Sequence, residues 1–265
     1  YVSSGWVAGG KFFDSSFHQD YLTGMLLVAG ITMFYTFFGG FMGASYTDMV
    51  QGLLMLAALI AVPIVAITNM GGLDHVTNAV SNVRPDALGL FAGTTFIGIA
   101  SALAWGLGYF GQPHIIVRFM ALRTPEDAKA GRRIGMSWML LTVVGSISTA
   151  FVGVAYFATH PEVSLTDKES AETVFLDLAQ ILFHPFIAGM ILAAVLAAIM
   201  STLSSQLVVC SSALVEDLYG VFVKKKLSAN QSLWLGRAGV AIVAVIATLM
   251  ALDKKHSILS LVEFA

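Results

Sequence analysis

The stretch Pro185-Phe-Ile-Ala-Gly-Met-Ile-Leu-Ala-Ala-Val-Leu-Ala-Ala-Ile-Met-Ser-Thr-Leu-Ser-Ser-Gln-Leu-Val-Val-Cys-Ser-Ser-Ala213 decides how this chain folds. It carries no Asp, Glu, Lys or Arg, and it exceeds the roughly 20 apolar residues that cross a bilayer as a helix. Its middle, Ala197 to Gln206, sets hydroxyls where lipid or protein, not water, surrounds the backbone. Neutral oxygens in such a place can replace part of the water shell of a small cation. Ion-coupled transport is therefore the first reading to test.

The rest of the composition agrees. The 265 residues are 57% hydrophobic and 11% charged, against about 25% charged in a soluble domain. Too few charges remain to cover a water-facing surface, so the expected class is an all-α polytopic membrane protein. A net charge of −2 gives no hint of nucleic-acid binding. The single Cys210 has no partner for an internal disulfide. The chain opens on Tyr1-Val-Ser-Ser-Gly-Trp6 and stops at Glu263-Phe-Ala265, both like the inside of a helix. An excerpt of a longer protein is expected.

Apolar spans run over Leu22–Ala44, Thr47–Asn69, Thr94–Pro113, Ile134–Ala158, Phe186–Ala213 and Leu233–Leu252, with partial spans at Tyr1–Phe12 and Ser257–Ala265. A tight turn is expected at 45–46. Between His160 and Pro185, the positions Val174, Leu178, Ile181 and Leu182 recur at helical spacing, which predicts a short amphipathic helix over 171–183. Basic residues set the orientation. Arg118, Arg123, Lys129, Arg132 and Arg133 mark loop 117–134, and Lys224, Lys225 and Lys226 mark loop 214–232, as cytoplasmic. Loop 159–185 holds Lys168 against five acidic residues and is placed outside. Lys254 and Lys255, which the alternation puts outside, are the one discord.

Three constellations could carry chemistry. In the first, Ala198, Ser201 and Ser205 share a helix face at i, i+3 and i+7, with Thr202 about 100° away. Two hydroxyls and the Ala198 carbonyl make one side of a sodium shell; the other ligands must come from an unwound helix elsewhere. The competing reading is structural: Ser and Thr bond their own i−4 carbonyls, and small residues let membrane helices approach closely. Both readings stay open here. In the second, Gly106, Gly108 and Gly111 precede Pro113 within one span. Gly weakens a helix interior by about 1 kcal/mol and Pro by about 3, so this span is expected to be broken. Freed backbone groups in a membrane need protein, water or a ligand. Trp105 and Tyr109, at i and i+4 beside the break, suit an aromatic wall for a small solute; a plain kinked helix is the alternative. The third is Asp48, read as an N-terminal helix cap or a gating contact. No catalytic or metal-cluster pattern is present and the six His lack ligand spacing, so no enzyme activity and no cofactor are expected.

The run Trp105-Gly-Leu-Gly-Tyr-Phe-Gly-Gln-Pro-His114 resembles the proline branch of the bacterial sodium/solute symporter family. Thr36-Phe-Phe-Gly-Gly40 leading to Thr47-Asp-Met-Val-Gln51, and Ala197-Ala-Ile-Met-Ser-Thr-Leu-Ser204 leading to Glu216-Asp-Leu-Tyr219, resemble the broader family. The resemblance implies a LeuT-like inverted-repeat bundle, here from about core helix 3 to the start of core helix 10. It implies sodium-driven import of L-proline across the bacterial cytoplasmic membrane, with sodium as coupling ion. It carries the sodium ligands onto the Ala198 carbonyl, Ser201 and Thr202, and the proline site onto Trp105, Tyr109, Pro113 and Tyr1. It also makes Asp48 functionally important, and it leaves further ligands on core helix 1, outside this chain. Ser205 departs from relatives that have Cys there. Other readings are a different small solute of the same family, a symporter-like sensory module, or a channel.

The charge-based orientation has a direct check. In intact cells, a single Cys introduced as Thr124→Cys is expected to stay unreactive toward an impermeant external thiol reagent and to react once the membrane is opened. Labelling from outside contradicts the orientation.

Overall fold

The fold is described from a computed structural model covering residues 1–89, 91–108, 111–160, 171–219, 228–252 and 258–263. Among these residues the regular structure is entirely helical. In chain order the α-helices are α1 (Val2–Phe17), α2 (Tyr21–Asn69), α3 (Leu73–Val83), α4 (Phe96–Gly108), α5 (Pro113–Met120), α6 (Pro125–Thr159), α7 (Val174–Leu182), α8 (Pro185–Ser212), α9 (Ala229–Met250) and α10 (Ile258–Glu263). A 3-10 turn, Pro85–Leu88, follows α3, and a π-helical turn, Ala213–Tyr219, extends α8. Among the described residues, four stretches are long and apolar enough to cross a membrane: Tyr21–Asn69, Pro125–Thr159, Pro185–Tyr219 and Asn230–Met250.

The helix ends follow local chemistry. Thr124 caps α6, its hydroxyl accepting from the Asp127 amide at 3.1 Å, with Pro125 in the first turn where no N–H is needed. Ser228 and Gln231 form a reciprocal capping box at the start of α9. The amphipathic helix expected over 171–183 is α7, which starts three residues later and buries Leu176, Leu178 and Ala179.

One expectation is corrected. The reversal placed at 45–46, dividing 22–44 from 47–69, is absent: α2 runs through both residues, and Gly40 (φ 51°, ψ −147°) is the non-helical residue inside it. A side chain at that φ would clash with its own backbone, so glycine locates the bend. The two arms, 21–39 and 41–69, are about 28 and 43 Å long at 1.5 Å per residue. Each can reach across a hydrocarbon core of about 30 Å.

The chain divides into two compact units. The first holds residues 1–55 and 185–265. Its core gathers Trp6, Val7, Met25, Val28, Leu203, Leu207, Ala244 and Ala247 from α1, the first arm of α2, α8 and α9. A buried hydrogen bond from the Tyr21 hydroxyl to the Ala251 carbonyl (2.8 Å) ties the start of α2 to the end of α9.

The second unit holds residues 56–184. Among the described residues, Ala58, Val62 and Ala66 of α2, Val76 and Val80 of α3, Val152, Ala155 and Phe157 of α6, and Leu176, Leu178 and Ala179 of α7 are its buried apolar residues. Here α6 meets the backbone of α2: a Cβ on Gly145 would stand 2.6 Å from the Leu59 carbonyl oxygen. Backbone cannot yield as a side-chain tip can. Gly145→Ala is therefore expected to destabilise the full-length protein by about 1–3 kcal/mol, read as a lowered thermal midpoint in detergent; an unchanged midpoint contradicts this packing.

Candidate functional site

Three of the expected site residues converge on α8. Ser201 Oγ donates to the Ala198 carbonyl at 2.9 Å, and Thr202 Oγ1 donates to the same carbonyl at 3.2 Å. One carbonyl oxygen thus gathers two hydroxyls within a single turn. Each hydroxyl has one proton and two lone pairs. With the protons turned toward Ala198, the lone pairs remain available to a cation. Ser201 is half-buried and Thr202 exposed, whereas Ser204, Ser205 and Gln206 are buried. The back-bonding anticipated as the structural alternative is present, and the same geometry presents a row of oxygens.

The next turn connects α8 to α2. Ser205 Oγ lies 2.9 Å from the Ser201 carbonyl and 3.1 Å from Asp48 Oδ2, so its single proton is shared between an intrahelical and an interhelical acceptor. Tyr35 donates its hydroxyl to the Met200 carbonyl at 2.8 Å. Asp48 is consequently not a helix cap. It sits inside the second arm of α2, because the helix passes through 45–46, and its carboxylate meets the hydroxyl helix. Tyr35 was missed in the sequence, although Thr32, Tyr35 and Thr36 recur at i, i+3 and i+4 in an apolar span. Thr32 and Thr36 are fully or nearly fully buried.

The residues expected to hold the solute are distributed differently. Tyr1 precedes α1 in the first unit, its carbonyl accepting from the Ser4 hydroxyl at 2.7 Å. Trp105 lies on α4 and Pro113 opens α5, both in the second unit. Tyr109 lies outside the described residues. α4 is described to Gly108, and Gly111 and an extended Gln112 (φ −69°, ψ 114°) precede Pro113, where α5 starts. Gly106, Gly108 and Gly111 are not among the glycines with positive φ, so their backbone does not itself demand glycine. The apolar face of α4 is open: Phe96, Ile97, Leu103 and Leu107 are all more than two-thirds exposed. Just past the interruption, burial and then the charge of Arg118 hold the His114 imidazole below its ordinary range, which favours the neutral ring at pH 7.

A cavity of about 520 Å³ in the second unit is lined by Asn69, His75, Tyr156 and His160 among others. None of the expected site residues lines it.

Comparison with known proteins decides the family. The profile of the sodium:solute symporter family matches residues 1–265. This chain belongs to the sodium:solute symporter family. It is 49% identical over its whole length to the osmoregulated proline transporter OpuE of Bacillus subtilis, covering 53% of that protein. It is 49% identical to the high-affinity proline transporter PutP of the same organism, covering 55% of it. It is 44% identical to the sodium/proline symporter of Escherichia coli, covering 53% of it. The chain thus spans about half the length of the curated relatives it matches.

The Asp48–Ser205 contact is measurable as a coupling. In the full-length protein, Asp48→Asn and Ser205→Ala are each expected to lower thermal stability, and the double variant to lose less than the sum by about 0.5–3 kcal/mol. Additive losses contradict the contact.

Proposed function

We propose that this chain is part of a symporter that carries L-proline into a bacterial cell together with sodium, by alternating access. The observation that carries the reading is the convergence of Ser201, Thr202 and the Ala198 carbonyl on one turn of a charge-free helix. The names of relatives at 44–49% identity support proline as the solute and sodium as the coupling ion.

In this mechanism α8 supplies one wall of the sodium shell. The ion competes with two hydroxyl protons for the Ala198 carbonyl. On arrival it turns those protons outward and draws all three oxygens onto itself. Its remaining ligands come from segments beyond this chain. The solute site is assigned to Trp105, Tyr109 and Pro113, and by the family resemblance to Tyr1. Backbone groups released at a helix interruption suit the charged ends of a zwitterion, and aromatic residues suit its ring. A LeuT-like inverted repeat in the bacterial cytoplasmic membrane, with loops 117–134 and 214–232 inside and 159–185 outside, is the architecture that goes with it.

The energetics are adequate. One charge falling through 100 mV releases about 2.3 kcal/mol, and a tenfold sodium gradient adds about 1.4 kcal/mol. With one sodium per neutral proline zwitterion, accumulation reaches roughly several hundredfold.

Uptake of labelled proline into proteoliposomes containing the full-length protein tests the proposal. Uptake should saturate and collapse without a sodium gradient. Ser201→Ala and Thr202→Ala should each raise the sodium concentration for half-maximal uptake by roughly 10-fold or more, as expected for losing one oxygen on a charged group, while proline affinity at saturating sodium stays within about twofold. Unchanged sodium dependence in both variants removes the assignment.

A further inference from the structure

The bend at Gly40 leaves a backbone group to satisfy. In a straight helix the Phe37 carbonyl accepts from the amide of residue 41. That bond spans residue 40, and ψ −147° there turns the amide away from it. The Phe37 carbonyl instead accepts from Arg237 Nε of α9 at 3.3 Å. The guanidinium lies between three rings, 4.9 Å from the centroid of Phe37, 5.8 Å from Phe38 and 5.0 Å from Trp234. A planar guanidinium can stack on such rings while donating along its plane, which a compact ammonium cannot do.

Both sides of the bend report to the same stretch of α8. Tyr35, five residues before Gly40, bonds the Met200 carbonyl, and Asp48, eight residues after it, accepts from Ser205. Along a straight helix Tyr35 and Asp48 stand about 20 Å apart, whereas Met200 and Ser205 are only about 7.5 Å apart along α8. Both contacts form together only because α2 bends. The base of Arg237 is anchored to α8 as well. Ser211 Oγ donates to the Gly236 carbonyl at 2.5 Å, and a Cβ on Gly239 would meet Ser211 Oγ at 2.9 Å. The three elements close a ring of contacts: α8 to α9 at Ser211, α9 to the bend at Arg237, and both arms of the bend back to α8.

We propose that Arg237 is a positioning residue that latches the α2 elbow at Gly40 and, through Tyr35 and Asp48, holds the hydroxyl turn of α8 in register for sodium. This rests on the sodium reading above and adds a residue that touches neither the ion nor the solute. Releasing the latch lets the two arms straighten or swing, so the Asp48 and Tyr35 contacts cannot persist together.

The test uses the full-length transporter with its native cysteines replaced. Spin labels at Phe34→Cys and Met49→Cys, both exposed positions flanking the bend, give the elbow's distance distribution. A single narrow population is expected with Arg237 present. Arg237→Gln should broaden or split it and raise the half-saturating sodium concentration about tenfold, with the proline KM at saturating sodium within twofold. Arg237→Lys, which keeps charge and a donor without the planar fork, should recover part of both effects. Trp234→Leu, which removes one ring and keeps the hydrogen bond, should shift both in the same direction by less, and it serves if Arg237→Gln does not fold. A parent-like distance distribution in Arg237→Gln, or in Trp234→Leu where that variant stands in, overturns the latch. So does a loss confined to proline KM. Sodium-independent uptake by the parent sinks the functional reading instead, and the elbow distances still decide whether Arg237 holds the bend.

Discussion

The carbonyl of Ala198 receives two hydroxyl protons from within its own helix, from Ser201 and Thr202. In a segment without a charged residue this closes the polar account of the turn: every hydroxyl proton has an acceptor, and the helix can sit among apolar neighbours without an orphaned donor. The arrangement is also exchangeable. A cation offers the same oxygens a stronger partner, and only two hydroxyl torsions have to change to admit it. Under the proposed function, packing motif and ion wall are two occupancies of one geometry. A structural hydroxyl turn and a functional one differ in whether a cation can reach the lone pairs, and Thr202 is exposed.

That turn is not held by its own helix alone. Asp48 and Tyr35 reach it from the two arms of α2, and they do so because α2 is bent at a residue able to adopt φ 51°. A bend inside a membrane segment exposes backbone groups that lipid cannot satisfy. Here a guanidinium supplies the missing donor to Phe37, with aromatic faces around its charge. Glycine permits the bend, arginine satisfies it, and the polar side chains on either side use it. Each of the three is conspicuous in an apolar sequence for a different physical reason.

A second interruption lies between α4, described to Gly108, and α5, which begins at Pro113. Proline serves there as the first residue of a new helix, where its missing N–H costs nothing. Leu103 and Leu107 on α4 are exposed among the described residues. This fits a chain that spans about half of its relatives' length.

Much of this was legible in the residues. Charge depletion and apolar length forced helices and a membrane, because only helices satisfy their own backbone in lipid as single segments. The hydroxyl turn was legible for the same reason: its spacing of three and four residues is a property of any α-helix. The Trp105-to-Pro113 run and the Ser201-Thr202 pair pointed to the family, and the match over residues 1–265 agrees. The position of the bend in α2 was not legible. Gly39, Gly40 and Gly43 all permit one, and local preference does not choose among them; the choice falls to contacts with α8 and α9. For that reason Asp48 read as a cap or a gating contact without a named partner, when its partner, Ser205, lies 157 residues away. Tyr35 and Arg237 were opaque in the same way, since a hydrogen bond to a distant carbonyl leaves no periodic trace. The sequence alone determined that the chain folds into apolar helices and which turns carry oxygen, because those follow from local spacing and from the cost of polar groups in lipid. Tertiary structure alone decided where α2 bends and which polar groups meet there, because those depend on packing between elements far apart in the chain.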